Sequence, residues 1–161
     1  MGFFGKLPSR GDFIRIGLSR LATTAWDRWL SSVLPDAPDA LRLPLWRFAF
    51  WPGVCGPAAL TGVLLPSHDR IGRLFPLLIA AEGAEPGEVF LDAAELIGTA
   101  AIRDAVAPDT LIRQLGGAPR PTPIRRTSGP PARWWRKGGT AAELPGKALP
   151  DPDAFLRMLH P

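Results

Sequence analysis

Residues 60 to 79, LTGVLLPSHDRIGRLFPLLI, constrain this chain more than any other stretch. Two apolar runs, each too short for a helix of ordinary length and bounded by Pro66, Gly72 and Pro76, read as buried strands. Residues 67 to 73 between them are too few for a helical crossover, so the strands must pair antiparallel. The connection carries Ser67, His68, Asp69, Arg70, Gly72 and Arg73, a polar knot that the strands on either side must hold still.

The rest of the chain builds outwards from that pair. MGFFGKLPSRGDF is apolar at 3, 4, 7 and 13 with Gly5, Pro8 and Gly11 between. It predicts a first strand over 2 to 7 that leaves through a tight loop bearing Lys6, Arg10 and Asp12. From Ile16 to Leu34 apolar residues recur at three and four, which predicts a helix capped by Ser19 and stopped by Pro35, with Trp26 and Trp29 on one buried face. Leu45 to Trp51 is an aromatic strand whose alternation sends Trp46, Phe48 and Phe50 to the core and Arg47 to the opposite face. Helical spacing returns over Val89 to Val106 and again after Pro108, where Gly116 and Gly117 end it. Residues 118 to 133, with five prolines and four arginines, are expected to form a mobile loop within the domain. A short strand over 133 to 136 and a last helix with Phe155, Leu156 and Leu159 complete the chain. The expectation is a single α/β domain over 1 to 161, a layered fold with a central mixed or mostly antiparallel sheet flanked by helices.

Composition removes several classes of function. The 161 residues are 46% hydrophobic and 21% charged, enough for one packed core and too apolar for general disorder. The net charge of +4 comes mostly from arginine, which serves ion pairs and protein interfaces as readily as nucleic acid. A single cysteine, Cys55, allows no internal disulfide and suits a reducing compartment. The N-terminal stretch lacks a charged region followed by a long apolar core, and no window approaches 18 uninterrupted apolar residues. A cytoplasmic chain without membrane insertion is expected, and Arg10-Gly11-Asp12 is then a turn rather than an adhesion motif.

The candidate chemistry is sparse. Ser67, His68 and Asp69 are the residue types of a hydrolase triad, but consecutive residues of a turn cannot line up as a relay, and no G-x-S-x-G elbow is present. Ser67 and Asp69 are better suited to side-chain bonds with the turn's own backbone. Cys55, His68 and His160 have no metal-ligand spacing, and neither phosphate-binding glycine motif occurs, so neither metal nor cofactor is expected. Trp134 and Trp135, set among Arg120, Arg125, Arg126, Arg133, Arg136 and Lys137, are a candidate aromatic surface, although a core Trp pair explains the same letters better than a nucleic-acid site. Arg125-Arg126-Thr127-Ser128 is a candidate for phosphorylation. What remains is a cluster of Lys6, Arg10, Asp12, Ser67, Asp69, Arg70 and Arg73, able to pair and fix a loop, with a structural or recognition role.

Several blocks resemble a known family. GFFGKLPSRGDF at 2 to 13, WDRWL at 26 to 30, PLWRF at 44 to 48, GVLLPSHDRIGRLFPL at 62 to 77 and the Trp pair at 134 and 135 resemble, in order, the type VI secretion-associated protein TagF, also called ImpM. The resemblance implies a layered α/β fold and a non-enzymatic cytoplasmic accessory protein that represses the bacterial type VI system after translation. The implied partner is a forkhead-associated scaffold protein within a threonine phosphorylation pathway, and the cluster residues are the expected contact surface. The sequence departs from the family at His68, where an apolar residue is usual, and at Arg133 and Arg136, where Ser and Thr are usual. The residue-level alternative is a small hydrolase or ligand-binding protein using Ser67, Asp69, Arg70 and Arg73.

Overall fold

The computed structural model describes residues 1–34, 43–124, 132–139, 142–143 and 149–159. Its frame is a sheet whose strands are β1 (Gly2–Gly5), β2 (Ile14–Ile16), β3 (Trp46–Phe50), β4 (Leu60–Leu65), β5 (Leu77–Glu82), β6 (Arg133–Trp135) and β7 (Ala142–Glu143). They lie in the order β2-β1-β5-β4-β3-β6-β7, and every pairing is antiparallel. The sheet is therefore at the antiparallel limit of the expected range. β4 and β5 pair from Leu60 with Glu82 to Leu65 with Leu77, as the short connection requires.

Both faces of the sheet are covered, which explains why β4 and β5 are continuous apolar runs rather than alternating ones. On one face α1 (Arg20–Val33) and α4 (Pro152–Leu159) enclose an aromatic core of Phe4, Trp26, Trp29, Phe48, Phe50, Trp134 and Phe155. Trp26 lies 5.2 Å from Trp29 and 5.9 Å from Trp134, ring centre to ring centre, in edge-to-face contacts. The Trp29 indole N–H donates to the Pro150 carbonyl at 2.6 Å and ties α1 to the chain entering α4. On the other face α2 (Glu88–Arg103) and α3 (Pro108–Gly116) bury Phe90, Leu91, Ala94, Leu111 and Leu115 against Phe3, Val63, Leu65 and Ile79. Gly98 lets α2 lie close to the sheet, since a Cβ there would come within 2.7 Å of Ile79 Cδ1.

Several boundaries differ from expectation for identifiable reasons. The first strand stops at Gly5 rather than residue 7, because Gly5 takes φ of 135° and lies so near the Pro76 carbonyl that a side chain would collide with it. Ile16 belongs to β2 and not to the helix, which starts after Ser19, whose Oγ accepts from the Ala22 N–H at 3.2 Å. The strand expected over 74 to 81 begins only at Leu77, since Pro76 has no N–H to give the ladder and residues 67 to 74 close on themselves instead. Within the expected mobile loop, residues 122–124 bond to the turn that follows β5: Glu85 N–H to Thr122 O at 2.8 Å and Ile124 N–H to Gly83 O at 2.9 Å. Residues 125–131, with Thr127 and Ser128, lie outside the described residues.

Candidate functional site

The register of β1, β4 and β5 brings two loops to the same end of the sheet: Gly5 faces Leu77, and Leu77 faces Leu65. The loop after β1 carries Lys6, Arg10, Asp12 and Phe13, and the β4–β5 loop carries residues 66 to 76. Residues 63 positions apart in sequence meet there.

Asp69 is the hub. Its side chain is fully buried, and its Oδ2 accepts from Lys6 Nζ at 3.1 Å and from Arg73 Nε at 2.6 Å. Its Oδ1 accepts from the backbone N–H groups of Ile71 and Arg73 at 3.0 and 2.9 Å. Burial by itself would raise the Asp69 pKa, but the bonds from Arg73, Lys6 and Ile71 outweigh it and hold the carboxyl well below the usual range. Backbone bonds close the same turn, from Asp69 N–H to Arg73 O and from Gly72 N–H to Asp69 O, both at 3.0 Å.

The two loops are also joined directly. Ser67 Oγ donates to the Lys6 carbonyl at 2.8 Å, and the Arg70 backbone N–H donates to the Arg10 carbonyl at 2.9 Å. Arg73 Nη2 reaches the Gly11 carbonyl at 3.4 Å. Phe13 packs edge-to-face on Phe75 at 4.6 Å, with Lys6 Nζ 5.1 Å from the Phe13 ring centre. Lys6, Ser67 and Asp69 thus form a buried clamp, to which Arg73 adds a partly exposed arm.

The expected cluster divides at this point. Arg10, Asp12 and Arg70 are exposed, and among the described residues no cation pairs with Asp12. Arg70 joins the network through its backbone alone, and its side chain faces outward. The Arg73 side chain is 62% exposed although its Nε holds Asp69, through one bond rather than a bidentate pair. His68 Nδ1 lies 2.9 Å from the Asp69 carbonyl, a bond that requires the proton on that nitrogen. With the Ser67 hydroxyl committed to Lys6 and the Asp69 carboxylate to four donors, the three residues are not aligned as a relay.

The aromatic surface proposed at 134 and 135 needs correction. Trp134 is fully buried in the α1 and α4 core, where β6 pairs it with Phe48, and Trp135 is half-buried under the Arg133 guanidinium. A pleated strand sends consecutive side chains to opposite faces, and in a sheet covered on both sides that leaves no Trp pair for stacking.

A second polar centre lies outside the expected cluster. Arg47 is fully buried on the α2 side of β3, where Nε meets Glu95 and Nη2 meets Asp92, both at 2.5 Å, and Nη1 meets Glu88. Lys137 joins Asp92 at 2.8 Å. The bond from Glu95 raises the Arg47 pKa against the opposing effect of burial, so the guanidinium stays charged. The signal was present as one arginine in an aromatic strand and carboxylates at 88, 92 and 95, spaced to share one helix face.

Elsewhere a cleft of about 130 Å³ is lined by Ser19, Leu21, Cys55, Leu60 and Glu82. Burial pushes the Cys55 thiol up to about 12, so at neutral pH it is protonated and a poor nucleophile. Among the described residues no group of three or more His, Cys, Asp or Glu is placed to hold a metal, and no helix is long and apolar enough to cross a membrane.

Fold and site together define a class: a three-layer α/β domain on an antiparallel sheet, with two loops clamped through a buried aspartate at one end. The chain belongs to the TagF N-terminal domain family, type VI secretion system-associated, whose family model matches residues 2–94 and so includes both clamped loops. The chain is also similar to PA0076 from Pseudomonas aeruginosa PAO1, whose crystal structure superposes with a TM-score of 0.81 at 27% identity, over 98% of this chain and 93% of that one. No curated protein sequence matches significantly.

Proposed function

We propose that this chain is a non-enzymatic, cytoplasmic repressor of a bacterial type VI secretion system, acting after translation by binding the system's forkhead-associated scaffold protein and linked to its threonine phosphorylation pathway. Family membership supports the system, and one observation carries the binding role. The polar residues of the two loops are divided into a buried part that fixes the loops and an exposed part, Arg10, Arg70 and the outer Arg73, that is free to touch a partner. A surface already held in one conformation loses little entropy on binding. The carboxylate and hydroxyl that a hydrolase would use are spent on holding the loops.

The test is made in the native bacterium with an active type VI system. Overproducing the chain should reduce secretion of that system's substrates without lowering the amounts of its components, and the tagged chain should capture the scaffold protein from lysate. Secretion unchanged by overproduction, with no scaffold captured, would refute the proposal.

A further inference from the structure

Six large apolar side chains are conspicuously exposed among the described residues, and three of them, Phe13, Ile71 and Leu74, lie on the two clamped loops, at 47%, 69% and 54% exposure. These loops bond to each other, through Arg70 N–H to Arg10 O and through Phe13 against Phe75. Charge on the same loops is one-sided. Arg10, Arg70 and Arg73 are exposed, Asp69 is buried and already shared by Lys6 and Arg73, and Asp12 is the one exposed carboxylate between residues 6 and 13 or 66 and 76.

Apolar side chains held out into water beside arginines are the composition of an interface centre, where burial of a few anchors supplies most of the affinity and Arg supplies charge-assisted bonds. Arg73 and Phe13 also serve the clamp, but the side chains of Ile71 and Arg70 do not, since these two engage it only through their backbone N–H groups. From this, resting on the scaffold-binding reading above, we propose that the loops dock a partner segment that is both apolar and acidic, its apolar side chains covering Ile71 and Leu74 and its Asp or Glu carboxylates meeting Arg10 and Arg70. The complementary charge favours such a segment over a basic or purely apolar one.

The experiment measures Kd between the full chain and the full-length scaffold protein of the same type VI system at about 50 and about 500 mM salt. Wild type should bind more weakly at the higher salt. The variant Ile71→Ser with Leu74→Ser should lose at least about tenfold in affinity at both salts. The variant Arg10→Glu with Arg70→Glu should lose affinity mainly at low salt, so that its salt dependence flattens or reverses. All four substitutions are at exposed positions, and unchanged melting temperatures establish that the variants are folded. If wild type binds and both variants match it at both salts, the acidic and apolar assignment is overturned while scaffold binding stands. If wild type binds at neither salt, scaffold binding falls and this inference with it.

Discussion

Asp69 shows how one side chain can decide whether a loop is a surface or a tangle. It is the common acceptor for a lysine from the loop after β1 and for an arginine and two backbone N–H groups from its own loop. Asp69→Asn keeps the shape but leaves Lys6 without its counter-charge in a buried site, and should lower the melting temperature at pH 7. The folded pKa lies below the ordinary carboxylate value, so the stabilisation is fully present above about pH 5 and is lost as pH falls through about 4 and lower. Wild type and Asp69→Asn should therefore differ by a constant amount near neutrality and converge in acid, and melts across that range check it. A gap that stays open at low pH would show that the carboxylate charge is not what the clamp uses. The sequence marks Asp69, Arg70 and Arg73 as groups able to pair within one glycine turn, but not that Arg73 rather than Arg70 holds the carboxylate. The third member, Lys6, was readable only as a cluster candidate, because nothing local says which distant loop closes on which.

At the scale of elements, hydrophobic pattern carried most of the fold: the β4 and β5 runs, the aromatic alternation of β3, and the three-and-four spacing of α1 and α2 all became the elements they suggested. β2 and β7 are too short for a period and lack an aromatic pair such as the one that marks the equally short β6, so they exist only through the neighbours that pair them. The tie between β3 and α2 was missed for the related reason that Arg47 and its carboxylates are more than forty residues apart. Arg47→Leu should destabilise the protein by about 3 kcal/mol, the low end for a broken buried pair, because Glu88 and Asp92 can turn to water while the mostly buried Glu95 cannot. Urea unfolding measures it. A change within about 0.5 kcal/mol would mean that the network offsets only its own desolvation.

For the whole molecule, the layered sheet acts as a frame that delivers two distant loops to one end and fixes them there. Helices cover both faces, and at the loop end the chain presents side chains without exposing its core. The residues at that end fall into those that hold the loops, Lys6, Ser67 and Asp69, and those that look outward, Arg10 and Arg70, with Arg73 between the two groups. Arg73 serves both, since Arg73→Glu would place a carboxylate beside Asp69 and disturb the clamp, so lost binding in that variant would be ambiguous. Arg70 serves only the outward duty. The most direct test is the affinity of Arg70→Glu for the scaffold protein, measured on a sample whose melting temperature matches wild type. At about 50 mM salt a loss of about tenfold or more is expected with the fold intact. Wild-type affinity, or a fold that fails with Arg70, would contradict it.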